Sequence, residues 1–421
     1  MNDTGWREKD DYTIQEIRSY LEHEKLDAFI PWKPEHIGYL TNYFDKVHTN
    51  ILWEEMTALL VIPLVKDAFV VGAHVHWIGT DDSVKPWWIT ERHDARGSAI
   101  QKVPKALEET IGLLKKKGLG SARIGIEKNW LPVHIFDYLC SALPDAEFVS
   151  ADRLVAQIRF IKNKREHMLL GKAAAIGLRA MEAYMEVIRE GGTHRKAELE
   201  RAKRALEYGG EFVGGPYAVC WTGADDVTPS WWDEPARRNF QTGVNRRRWR
   251  DLPQTAPFFV THLEVKYQHY FSDLAWHEFY DAEPDSDKLF SWSDRNVTYQ
   301  ECYEDFQVIR RVQREAIQEI RQGMNQFEAK KAVSNYLQSD SEAKKRITSY
   351  FLHGIGLEVH EEPVLSFSQP TPIPLEGPIY YKPGAVISSE WFTKLWTVEE
   401  PFVMTEKGWE PLVELKGFLG Q

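Results

Sequence analysis

The sequence predicts two domains of mixed helix and strand. A smaller α/β domain covers residues 1–157, and a larger α+β domain covers residues 158–421. Three observations carry this reading. A chain of 421 residues makes two to three domains at about 150 residues each. The first 150 residues alternate helix-like and strand-like segments, the pattern of an α/β layer. After the basic stretch from Ala156 to Arg165 the texture changes to long helices, and the last hundred residues are strand-rich with Pro and Gly turns.

The elements follow in order. Ile14, Ile17 and Leu21 recur at helical spacing and predict a helix over 12–24. Leu26 to Trp32 reads as a strand. Met56 to Leu64 and Ala68 to Ala73 are apolar and β-branched around a Lys-Asp break, which reads as strand–turn–strand. Lys102 to Lys117 reads as a helix stopped by Gly118 and Gly120, and Arg123 to Glu127 as a short strand. Beyond 157, helices are expected over 166–190 and 195–207, each closed by a Gly pair. Strands are expected at 217–222 and 257–265, then helices over 301–321 and 326–338.

Composition narrows the function classes. Hydrophobic residues make up 43% and charged residues 27%, ordinary globular usage. A formal charge of −11 argues against a general nucleic-acid binder. No long uncharged apolar run suggests a membrane span, and the polar start Met1–Asp11 does not read as a signal peptide. Cys140, Cys220 and Cys302 are far apart, odd in number and not in metal spacing, which suits a reducing compartment, the cytoplasm. Aromatic residues reach 13%, with tryptophans beside charge or proline, among them Trp231 and Trp391. These two are candidates to line a substrate pocket, against the plainer alternative of packing. Arg246 to Arg250 is the one basic cluster, more simply read as a solvated loop than as an anion contact.

Three segments carry chemistry. His353-Gly-Ile-Gly-Leu-Glu-Val-His360-Glu-Glu-Pro363 holds two histidines across a Gly-containing turn. Pro383 to Glu390 ends an apolar run on a carboxylate, and Val398-Glu399-Glu400 opens another. In the third, Phe258 to Asp273, His262 and Glu264 share one strand face, because side chains alternate. A reversal after them can return Asp273 beside them. Together these give oxygen and imidazole donors from several strands and no thiolate. Such a set suits Mn, Fe, Co or Zn as a divalent ion, which would polarise a carbonyl and acidify a water.

These segments resemble the pita-bread metallohydrolases, a family that includes methionine aminopeptidases, prolidases, aminopeptidases P, creatinase and some dimethylsulfoniopropionate lyases. The first 150 residues look like the creatinase-type N-terminal domain, notably Leu26-Asp-Ala-Phe-Ile and His36-Ile-Gly-Tyr-Leu-Thr-Asn-Tyr43. Arg159 to Glu166 resembles the entry to the catalytic domain. His353-Gly-Ile-Gly with His360-Glu-Glu-Pro, Lys382-Pro-Gly before Glu390, and Glu399 before Thr-Glu-Lys-Gly carry the rest. The resemblance implies a pita-bread catalytic domain, one or two divalent ions, a small-molecule substrate and a homodimer in which the N-terminal domain closes a partner's site. It places Asp273, His353, Glu390 and Glu399 at metal-ligand positions, and His360 where a histidine touches the scissile group.

The sequence departs from the family in three places. The first aspartate ligand should lie eleven residues before Asp273, where His262 stands; His262 is taken as a ligand, and Glu264 could substitute from the same strand face. The changed ligand favours a single tightly held ion. The segment Trp221 to Asp233 lacks the substrate-binding histidine of the peptidases and the acid/base histidine of creatinase. Thr397 stands where prolidases place an arginine. Three readings therefore stay open. The first is a hydrolase of a small C–N bond, with His360 on the oxyanion or leaving group and Glu390 moving the proton. The second is a lyase in which Glu264 or Asp273 abstracts a carbon-bound proton. The third is a non-catalytic binding protein of the same fold.

Overall fold

The computed structural model describes residues 4–42, 58–72, 86–95, 105–211, 258–279, 289–292, 295–367 and 378–413. The chain divides into two compact units, Met1–Arg159 and Phe160–Gln421.

The first unit is built on a six-stranded sheet in the order β4-β3-β2-β1-β5-β6, with β1 Ala28–Ile30, β2 Leu59–Pro63, β3 Ala68–Gly72, β4 Ile89–Asp94, β5 Arg123–Ile126 and β6 Glu147–Ser150. The Lys-Asp break at 66–67 makes β2 and β3 an antiparallel pair, whereas β1, β5 and β6 run parallel. The strands β1, β2 and β3 are buried throughout and share a core with α3 Lys105–Lys116 and α4 Val133–Ala142.

Two of this unit's helices differ from the sequence reading. Helix α1 runs Thr4–His23, a first stretch with little apolar spacing but with Lys9 and Asp10 buried. The Lys9 ammonium donates to the Tyr39 carbonyl and to Asn42, so tertiary bonds extend the helix beyond its apolar stripe. Helix α2, Pro34–Thr41, is too short to show a period. Its entry is fixed from far away: the Glu127 carboxylate accepts from the backbone of Trp32 at 2.6 Å and of Lys33 at 2.8 Å, placing negative charge at a helix N-terminus.

Helix α5 Leu154–Phe160 spans the boundary in sequence, and the second unit continues with α6 Lys164–Arg189 and α7 His194–Glu207. A capping box starts α6: Asn163 accepts from the Glu166 backbone and Glu166 from the Asn163 backbone, both at 3.0 Å. An antiparallel hairpin follows, β7 Phe258–Tyr267 and β8 Tyr270–Phe279, turning through Gln268 and His269, both at positive φ. This is the two-residue turn that suits a twisted hairpin. Val265 and Leu274 pack that hairpin on α6 and α7, and Tyr270 donates to Glu166 at 3.0 Å.

A second small hairpin, β9 Leu289–Trp292 with β10 Arg295–Thr298, leads into α8 Tyr299–Gln318, α9 Gln326–Ser339 and α10 Ser341–Arg346. A five-stranded antiparallel sheet completes the unit in the order β12-β11-β13-β14-β15, with β11 Ser349–Gly354, β12 Glu361–Ser366, β13 Val386–Phe392, β14 Thr397–Thr405 and β15 Gly408–Pro411. Tyr350, Leu352, Ile387, Trp391, Val398, Phe402 and Met404 join α8 and α9 in the main core. By alternation, Phe351, His353, Ser388, Glu390 and Glu399 project from the other face. No helix among the described residues is long and apolar enough to cross a membrane.

Candidate metal centre

The face opposite α8 and α9 collects the acidic and imidazole groups. β13 and β14 pair with Glu390 directly across from Glu399, and β11 pairs with β13 so that His353 lies across from Ser388. The hairpin β7–β8 places Glu264 directly across from Asp273. Ser388 ties the two layers together. Its hydroxyl donates to Glu399 Oε1 at 2.8 Å and lies 3.4 Å from the Asp273 carbonyl.

His353 is fully buried, as is Glu399 at 1% exposure. Its Nδ1 lies 2.9 Å from the Gly354 carbonyl, which can only accept. A hydrogen on Nδ1 satisfies that bond, which turns Nε2 toward the carboxylates. Nε2 lies 3.3 Å from Glu399 Oε1 and 3.9 Å from Asp273 Oδ2. Carboxylate and imidazole donors crowd into one buried spot, where a cation would relieve the mutual repulsion of the carboxylates. Asp273 reports the same frustration: burial first, then the charges of Glu399, Glu264 and Glu390, hold its carboxyl well above the ordinary value of 3.8.

The donor set therefore fits a divalent metal. It offers carboxylate oxygens and an imidazole whose second nitrogen is already bonded to a carbonyl, the arrangement that orients metal-bound histidines. Asp273, Glu390, Glu399 and His353 would hold the ion, with Glu264 at hand from β7. Oxygen and nitrogen donors without sulfur suit Mn, Fe, Co or Zn.

His360 lies closer to this group than the sequence reading implies. Donor atoms of Asp273, His353 and His360 all fall within 4.8 Å of one another, and the two imidazole rings stand 4.5 Å apart, edge to face. His353 is buried while His360 is exposed. Phe351 contacts both rings, with centroids 5.0 Å from His353 and 5.2 Å from His360.

The remaining expected residues separate. His262 pairs across from Ala275, two ladder pairs away from the Glu264–Asp273 pair; its side chain lies outside the described residues. Trp231 and the segment Trp221 to Asp233 also lie outside them, as does the basic cluster at 246–250. Trp391 is corrected: it is fully buried in the core, its indole donating to Ser389 at 2.8 Å and its ring 5.1 Å from that of Tyr350. Alternation puts it on the face opposite Glu390, packed in the core. Ser388 and Phe351 were missed. Each stands two residues before a candidate ligand on the same strand, a spacing that marks them as facing the same side.

Comparison with known proteins shows the family. Residues 13–161 match the Creatinase/Prolidase N-terminal domain, and residues 169–410 match Metallopeptidase family M24. The chain belongs to metallopeptidase family M24. This M24 chain is 24% identical over 416 residues to an Xaa-Pro dipeptidase of Lactobacillus delbrueckii subsp. lactis, covering 94% of this chain and 95% of that one. A relative from Bacillus subtilis (strain 168) aligns more locally, 25% identical over 184 residues, 42% of this chain and 45% of that one. Among solved structures, the Xaa-Pro dipeptidase from Bacillus anthracis shares the fold with a TM-score of 0.65 at 17% identity, over 96% of this chain and 98% of that one. By family the protein is a metallohydrolase with a creatinase-type N-terminal domain and a pita-bread catalytic domain, and the family uses divalent metal ions.

Proposed function

We propose that this M24 enzyme hydrolyses the C–N bond of small peptide-like molecules, using a single divalent ion held by Asp273, His353, Glu390 and Glu399, with Glu264 in the place of the family's first aspartate. The observation that carries this reading is the buried His353 Nε2 set against two carboxylates, with the exposed His360 beside it. The Xaa-Pro dipeptidases among the relatives support a peptide bond as the target.

A bound divalent ion supplies Lewis acidity and lowers the pKa of a water at the site. Glu390, half-buried across from Glu399, takes the proton from the attacking water and passes it to the departing nitrogen. His360, at the open side, donates a hydrogen bond to the oxygen that gains charge. His353 is oriented by donating from Nδ1 to the Gly354 carbonyl, and Ser388 holds Glu399 in place. Thr397 stands on β14 where a prolidase arginine would grip a substrate carboxylate. A neutral side chain there favours blocked or amide-terminated substrates over free dipeptides.

The test is a panel of Xaa-Pro dipeptides, other dipeptides and their amides, incubated in ¹⁸O-water with protein of known metal content. One labelled oxygen in the acid product is expected, with His353→Ala losing metal and turnover and His360→Ala losing turnover alone. An unsaturated, unlabelled product would establish elimination instead. Fully metal-loaded protein that turns over nothing would point to binding.

A further inference from the structure

His360 stands at the end of the loop 355–360 between β11 and β12, exposed yet held edge-on to His353. The residue after it, Glu361, is buried and points back into the loop. Its Oε1 accepts from the Glu358 backbone at 3.2 Å. A Cβ on Gly356 would meet that carboxylate at 2.6 Å, so the second glycine of His-Gly-Ile-Gly makes room for Glu361. The Gly356 carbonyl in turn accepts from the Phe271 backbone at 2.7 Å, two residues before Asp273. Glu361 is thus the template on which the loop carrying His360 is folded.

The other carboxylate oxygen reaches a cation far away in sequence. Lys162 Nζ donates to Glu361 Oε2 at 3.0 Å, and the two side chains are 1% and 5% exposed. Lys162 itself is clamped. Its backbone N–H donates to the Gly384 carbonyl at 2.9 Å, Ile161 bridges to Ala385, and a Cβ on Gly384 would strike the Lys162 carbonyl. Gly384 leads directly into β13, which carries Glu390. A buried ion pair contributes little net stability compared with an apolar pair of the same shape, so its geometric consequence is the stronger reason for its place beside the loop.

We propose that Lys162 is a positioning residue: through its buried ion pair with Glu361 it sets the His360 loop against the strand that carries Glu390. This rests on the reading of His360 as the substrate-contacting group, but the link itself is independent of turnover.

The experiment uses full-length, zinc-loaded protein with ¹³C-labelled histidine. The His360 ring signal is assigned by its absence in His360→Gln. In Lys162→Met that signal should move toward the position of a free imidazole while zinc per chain stays unchanged. Lys162→Arg, which keeps charge and donors, should hold it in place. On any dipeptide or amide cleaved, kcat should fall on the order of 10- to 100-fold, as a displacement of about 1 Å costs, with KM little changed. The double variant Lys162→Met/Glu361→Gln removes both charges of the pair and carries the same expectation should the single variant not fold. An unmoved His360 signal, a parallel loss of zinc, or an equal shift in the surface control Arg311→Gln would overturn the proposal. The ring signal decides it even if no substrate is hydrolysed.

Discussion

Ser388→Ala removes one hydroxyl from beneath the carboxylate cluster and tests whether Glu399 is a tuned ligand. The Ser388 hydroxyl donates to Glu399 Oε1 at 2.8 Å, and both residues are buried, at 0% and 1% exposure. A hydrogen bond to a charged group contributes about 1.5–3 kcal/mol. At about 1.4 kcal/mol per tenfold change, its loss should weaken metal binding roughly 10- to 100-fold, the scale seen when partners of metal ligands are removed. The bond helps to hold Glu399 Oε1 3.3 Å from His353 Nε2. The assay is competition of Zn²⁺ or Mn²⁺ against a chelating dye at fixed pH and ionic strength. Thermal unfolding of the chelated protein serves as the stability control. Ser339→Ala removes an exposed hydroxyl that donates to the Tyr336 carbonyl at 2.8 Å and should leave the dissociation constant unchanged. An unchanged constant in Ser388→Ala, or an equal loss in Ser339→Ala, would refute the argument.

Three further outcomes are expected. Glu264→Gln should weaken metal binding more than His262→Ala, because Glu264 is the residue directly across from Asp273; the reverse order in the same dye competition would restore His262 as the replacement ligand. Asp273 holds its proton more tightly folded than unfolded, so it stabilises the metal-free fold below the ordinary carboxylate value of 3.8 and loses that contribution as pH rises through its raised value. Urea midpoints of chelated protein should fall across that window, and excess zinc should flatten the fall because metal binds the ionised carboxylates; a rising midpoint would remove Asp273 from the cluster. Trp391→Ala should cost about 3–5 kcal/mol of stability, as truncation of a buried tryptophan does, with KM unchanged; a raised KM at wild-type stability would return Trp391 to the substrate site.

Much of the site can be read along single strands. The spacing that sets His353 beside glycines, and Glu390 at the end of an apolar run, belongs to the sequence. So does the shared face of His262 and Glu264. Helices with long apolar stripes, such as α6 and α8, are legible for the same reason: a period of 3.6 residues is a local property. The α2 helix is not, since its N-terminus is satisfied by Glu127, about ninety residues away. Nor is the core position of Trp391. β13 is buried on both faces apart from Glu390, so alternation separates Glu390 from Trp391 without saying which face meets α8 and α9.

What the sequence by itself determines is the set of donors, their strands and the family they point to, because residue type and spacing carry the coordination chemistry. The tertiary structure alone decides which donors meet. The two-residue turn at Gln268 and His269 sets the register that brings Glu264, rather than His262, across from Asp273. The pairing of β11, β13 and β14 turns separate motifs into one buried cluster. Lys162 and Glu361 stand 199 residues apart, and no local pattern records a contact that only packing creates.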